Sequence, residues 1–170
     1  MAPPLIRRWA WGAAAGLAFA FLVGLAFHGG RPDIMVQFKP AGLLTAFAPE
    51  DAREIEIATG TQRRRFVRDG ERWNASPEVA GKLDAAVRLM RNSGPMRVLS
   101  ADEVARMPPS EYALGPDNLK VSIRPAKGAA FVVQFGGRNP LGSARYAKVE
   151  GEPGVALLPT YVADAWEQLR

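Results

Sequence analysis

The longest apolar run lies near the start of the chain. Across residues 9–27 there are 19 consecutive residues without a charge. A helix rises ~1.5 Å per residue, so such a run matches the ~30 Å hydrocarbon core of a bilayer. Beyond it the pattern breaks into short segments of two different periods. Glu54-Ile55-Glu56-Ile57 alternates strictly, as a half-buried strand requires. Residues 62–68 return as a second strand across a turn at Thr59-Gly60. Asp69-Gly70 then turns the chain into Arg72-Trp73. With Thr59-Gly60 as the loop, Glu56 faces Arg63 and Glu54 faces Arg65, and each such pair contributes about 0.2–1 kcal/mol.

The period then lengthens. Ser76 is a natural N-cap and Pro77 suits a first helical turn. Val79, Leu83, Val87 and Met90 share one face of the helix that follows, and Asn92-Ser93-Gly94-Pro95 ends it. Arg97-Val98-Leu99 is a short strand. Ser100 and Glu103 have capping-box spacing for a second helix that Pro108 and Pro109 stop. Strands are expected at 119–124, 130–135, 145–149 and 154–158, with a loop at 136–142 between two of them. Pro159 opens a closing helix whose apolar side is Tyr161, Val162, Ala165, Trp166 and Leu169. Strands grouped with a few segregated helices predict an α+β domain: one mostly antiparallel sheet with two to three helices, preceded by a single N-terminal transmembrane helix.

The flanks of the apolar run set its expected orientation. Arg7 and Arg8 precede it, and Trp9 and Trp11 sit at its start, where indoles suit a membrane interface. The expected organisation is a cytoplasmic N-terminus at 1–8, a transmembrane helix at 9–28, a connector at 29–50 and a periplasmic domain at 51–170, held at a bacterial inner membrane. A cleaved signal peptide is the competing reading. Ala18-Phe19-Ala20 has the form of a cleavage site but lies inside the apolar run.

Composition narrows the function. The 170 residues include no Cys and one His, which removes thiolate metal sites, Cys nucleophiles and disulfide staples together. No nucleophile elbow, P-loop, zinc-protease or EF-hand pattern occurs. Neither an enzyme nor a cofactor is expected. The net charge of +5 falls to +3 over residues 34–170, which hold 19 Lys+Arg and 16 Asp+Glu. A nucleic-acid partner is not expected from so modest and dispersed an excess.

What remains is binding. Gly12, Gly16, Ala20 and Gly24 recur every four residues, and such a ridge lets a second membrane helix approach closely. The expected partners are another membrane subunit or a second copy, through this helix, together with membrane lipid. Outside the membrane, the candidate contacts are Leu43, Leu44 and Phe47 in the connector and the run Arg63, Arg64 and Arg65. Those arginines suit a solvated strand with paired neighbours first, and an anion or acidic partner second. Trp73 is expected as a core anchor, with Tyr112 and Tyr146 as loop packers pinned through their hydroxyls.

Four landmarks occur in order: Trp73 with Pro77 four residues on; Glu111-Tyr112-Ala113-Leu114-Gly115-Pro116; Phe135-Gly136-Gly137-Arg138-Asn139-Pro140-Leu141-Gly142 with Arg145-Tyr146; and Val155-Ala156-Leu157-Leu158. Over about residues 50–168 they resemble the bacterial domain-of-unknown-function 4340 family. Ala113 stands where that family commonly has Gly, and Pro116 follows Leu114 early. The resemblance implies a membrane-tethered extracytoplasmic α+β domain. Some relatives are associated with ABC-transporter or gliding-type systems, and no catalytic residue is carried over. The expected function is a non-enzymatic single-pass accessory subunit or assembly factor that binds a protein partner. An envelope ligand- or glycan-binding module, such as an ABC-transporter auxiliary component, is the alternative.

Overall fold

The computed structural model describes residues 42–170 together with Gly16, Phe19, Phe21 and Val23. Those four are helical. Among the described residues no helix is long and apolar enough to cross a membrane. The expected cytoplasmic tail, transmembrane helix and most of the connector lie outside the described residues. The chain divides into two compact units, Met1–Lys39 and Pro40–Arg170.

The second unit is an α+β fold on one antiparallel sheet. Its strands are β1 (Ala52–Thr59), β2 (Gln62–Asp69), β3 (Arg72–Trp73), β4 (Arg97–Leu99), β5 (Lys120–Pro125), β6 (Phe131–Arg138), β7 (Ala144–Val149) and β8 (Val155–Pro159). They lie in the order β3-β2-β1-β5-β6-β7-β8-β4. The helices are α1 (Pro77–Asn92), α2 (Ala101–Arg106), α3 (Pro109–Tyr112) and α4 (Thr160–Glu167), with a 3₁₀ turn at Pro49–Asp51 before β1.

One sheet face carries the main core. Directly opposed residues share a face, so Ile57, Val121 and Val133 form one buried row and Ile55, Ile123 and Phe131 the next. Helices α1 and α4 cover them with Leu83, Ala86, Val87 and Met90 from one and Val162, Ala163, Trp166 and Leu169 from the other. Tyr161, expected on that apolar side, is 52% exposed and donates its hydroxyl to Ser93 Oγ at 3.3 Å. A second, smaller core lies on the opposite face. There Leu99, Tyr146 and Val155 pack under Val104, Met107, Tyr112 and Leu114 from the segment holding α2 and α3. Pro109 opens α3 where a stop was expected, since proline suits a first turn as well as it ends a preceding one. Tyr112 and Tyr146 meet edge to face, with ring centroids 6.4 Å apart. That ring contact, and not a hydroxyl bond, pins them.

The first hairpin turns at Gly60-Thr61, because Thr59 pairs with Gln62. The register is therefore offset by two from expectation, and Glu56 faces Arg65. A two-residue offset keeps every side chain on its own face. The expected ion pairs thus survive as diagonals: Arg63 lies 3.5 Å from Glu56 and Arg65 lies 2.8 Å from Glu54. The Gly-Gly pair expected in a loop belongs to β6. Pairing slips by one residue between Phe135 and Arg138, which is a β-bulge. A Cβ on Gly136 there would overlap the Tyr112 carbonyl.

The domain also begins earlier than residue 51. Gly42 N–H donates to Arg91 O at 3.1 Å, and Leu44 N–H to Met90 O at 3.2 Å. Arg91 donates in turn to the carbonyls of Leu44, Thr45 and Phe47. Leu44 is fully buried, with Leu43 and Phe47 packed beside it. The segment from Gly42 to Phe47 is thus laid against the end of α1, so close that a Cβ on Gly42 would overlap the Arg91 and Met90 carbonyls.

Two outcomes are expected from this geometry. Gly42→Ala should cost about 1–3 kcal/mol in urea unfolding, the range for forcing extra atoms into a packed site. Ala113 has φ +44°, in the left-handed region that costs a non-glycine residue about 1–2 kcal/mol. Ala113→Gly should accordingly raise stability by up to about 1 kcal/mol in the same measurement, after the entropy cost of glycine is subtracted. A loss of stability there would show that the turn carries no such strain.

Candidate functional site

The arginine run does not act as one surface. Arg63 and Arg65 point from the sheet's open face and pair with Glu56 and Glu54, where Arg124 joins at 3.7 Å from Glu54. The Arg65 guanidinium pKa is raised above its ordinary value, first by its hydrogen bond to Glu54 and then by that carboxylate's charge. Arg64 points the other way. It lies 5.3 Å over the Phe66 ring and donates to Leu169 O and Arg170 O at 3.1 and 2.8 Å. A cation on these last carbonyls also complements the end of α4. Alternation of side chains along β2 separates the three, which spacing in the sequence alone had grouped together.

Leu43, Leu44 and Phe47 are likewise committed to the core described above, Leu44 completely. Of Gly12, Gly16, Ala20 and Gly24, only Gly16 is among the described residues. It is helical and exposed, and a Cβ placed on it would meet nothing within 4 Å.

Two recesses remain. The first is polar, about 420 Å³, lined in part by Glu50, Arg53, Arg68 and Asp84. Its two central groups, Arg68 and Asp84, are paired with each other. Arg68, with its side chain 9% exposed, pairs with Asp84 and stacks 4.3 Å over Trp73, whose indole N–H also donates to Asp84 at 2.9 Å. This cluster ties α1 to the β2–β3 hairpin and makes Trp73 the anchor expected of it.

The second recess is an apolar groove of about 540 Å³ on the helix-bearing face of the sheet. The segment at Gly42 and Leu43 forms one wall. The floor is Phe131, Ala147 and Ala156, and the far wall is Val98 and Leu99 of β4. The rim carries Glu150 and Glu152, and among the described residues no Lys, Arg or His lines the groove. Ser100 and Ala101 close one end. Their position is set by the α2 capping box: Ser100 Oγ accepts from Glu103 N–H at 3.3 Å, and Glu103 Oε2 accepts from Ser100 N–H at 2.9 Å. Sequence reasoning missed this groove, because its two walls, at Gly42–Leu43 and Val98–Leu99, lie far along the chain from each other and from the β6–β8 floor. The signal that was legible is small: Val98 follows Met96 at strand spacing with no apolar partner between them.

The fold defines a class: an α+β domain on one antiparallel sheet, with a core on each face and an apolar groove among the described residues. No family model, curated protein or solved structure matches the chain. Among the described residues no group of three or more His, Cys, Asp or Glu is placed to hold a metal ion.

A pH dependence follows from the cap. The Glu103 carboxyl is held below its ordinary value, first by the Ser100 N–H and then by the Ser100 hydroxyl and Arg97. A lowered folded-state pKa means the ionised form gains on folding. That gain is complete above the ordinary value and is lost as pH falls through the lowered one. Relative to the intrinsic exchange rate at each pH, the protection of the α2 amides should therefore fall as the pH drops below about 4.5, and Glu103→Gln should flatten the response. An equal acid response in the variant would assign the effect to other carboxylates.

Proposed function

We propose that the chain is a non-enzymatic, single-pass membrane accessory subunit or assembly factor, with its folded domain in the periplasm binding a protein partner. The observation that carries the reading is a join. An uncharged run long enough to span a bilayer, with paired arginines before it, leads into a domain whose apolar groove no other described residue covers. Uncovered apolar surface rimmed by polar residues is characteristic of interaction sites. The landmarks shared with the domain-of-unknown-function 4340 family support the same placement, and the left-handed Ala113 sits where that family commonly has Gly.

A second reading is favoured by the groove's size. At about 540 Å³ it falls within the ~300–1,000 Å³ of small-molecule sites, as an envelope ligand-binding module requires. Its single aromatic, Phe131, and its two rim carboxylates suit an apolar or cationic ligand better than a glycan.

Extraction of a tagged chain in mild detergents should recover a second polypeptide in fixed ratio. Gly16→Ile should reduce that recovery about tenfold, the equivalent of losing 1–2 kcal/mol of helix packing, while the domain's melting temperature stays constant. The bare chain recovered in every detergent would overturn the subunit reading. Unchanged recovery with Gly16→Ile would remove the small-residue ridge from it.

A further inference from the structure

We propose that the polar recess between α1 and the β2–β3 turn binds a basic amino acid, a small ligand with one carboxylate and two ammonium groups. This site is separate from the partner-binding reading and does not rest on it.

Four segments converge on the recess. The 3₁₀ turn brings Glu50 and Asp51, and β1 brings Arg53. The turn after β2 brings Gly70 and Glu71, and α1 brings Asp84 and Arg88. Arg68 ties them together. Its side chain, 9% exposed, is held over the Trp73 ring and against Asp84. It also donates to Glu50 O at 3.3 Å, and Arg53 donates to Gly70 O at 3.3 Å. These bonds fasten both turns before a ligand arrives, and a wall already in place lowers the cost of binding. At about 420 Å³ the recess falls within the ~300–1,000 Å³ of small-molecule sites.

Opposite charges are kept apart here. The ion pairs among the described residues engage none of Glu50, Asp51, Arg53, Glu71 and Arg88. With Arg68 and Asp84 neutralising each other, two guanidiniums and three carboxylates remain around one recess. That set has an excess of one negative charge. A basic amino acid carries the complementary single positive charge, divided in the same way. Its carboxylate suits the forks of Arg53 and Arg88, and its ammonium groups suit the acids. Arg68 Nε is in addition a buried donor without a partner among the described residues. Burying such a donor is costly, and an incoming carboxylate offers the acceptor.

Other occupants fit less well. A metal ion needs converging ligands, and among the described residues no three acidic groups are placed to hold one. A phosphate or other lone anion would meet the excess negative charge.

The test is calorimetric titration of the full chain in phosphatidylcholine nanodiscs with lysine, alanine and glutamate. Lysine should bind about tenfold more tightly than alanine, and glutamate should give no binding heat. Arg88→Gln should weaken lysine about tenfold but should not weaken 1,5-diaminopentane, which has no carboxylate. Glu50→Gln and Glu71→Gln together should erase the preference for lysine over alanine. All three positions are exposed, so the variants should melt as the parent does. Equal binding of lysine and glutamate, no heat with lysine, or lysine binding indifferent to all these variants would overturn the proposal. So would displacement of lysine by equimolar calcium, which names a metal as the occupant. The recess lies at the β3–β2 end of the sheet and the groove at the β8–β4 end. Lysine binding by a chain that extracts from membranes alone would keep this site and remove the subunit reading. A co-purifying partner with no lysine binding would do the reverse.

Discussion

The apolar face of the sheet is wider than the helices available to cover it. Eight strands spaced ~4.8 Å apart span roughly 34 Å, whereas a helix with its side chains covers ~10 Å. Among the described residues only α1 and α4 lie on that face, and α4 is short. The uncovered remainder must be met by irregular chain, and residues 42–48 meet part of it with Leu44 fully buried. The groove is what they leave. Its place at the β8–β4 end follows from the same geometry, since α1 leans toward the β3–β2 end through Asp84, and α4 sits over the other end of β7 and β8.

Irregular cover needs its main-chain groups satisfied, because buried carbonyls without partners are costly. The fold answers with arginine. Arg91 serves three carbonyls of the segment before β1, Arg64 those of Leu169 and Arg170, and Arg145 that of Gly136 in the bulge. One terminal guanidinium nitrogen makes all the Arg91 contacts and another both Arg64 contacts, and the Lys148 ammonium likewise serves the carbonyls of Glu152 and Gly154. The basic excess of the domain is thus largely structural, and in a chain without cysteine these guanidinium staples stand where disulfides often do.

Local features were legible in the sequence because their causes are local. The Ser76 cap, the Ser100–Glu103 capping box, the Asp69-Gly70 turn and the apolar face of α1 each depend on neighbours within one turn. The hairpin register was not legible, since Thr59-Gly60 and Gly60-Thr61 both keep Ile55 and Ile57 inward. The Gly136-Gly137 pair read as a loop because a bulge and a loop ask for the same residue, and what decides is the Tyr112 carbonyl across the sheet. Leu43, Leu44 and Phe47 were singled out as apolar residues with no obvious cover. They proved to be the cover themselves, and the site they border was invisible because it is assembled from four separate segments.

On the proposed reading, the domain's incomplete cover is its working surface and the partner completes it. The most direct measurement is a photoreactive amino acid placed at position 98, on the groove, and at position 122, on the open charged face of the sheet, in chains expressed in intact cells. The expected result is one discrete crosslinked polypeptide from position 98 and none from position 122. A crosslink from position 122 with none from position 98 would contradict it, and would move the working surface to the opposite face of the sheet.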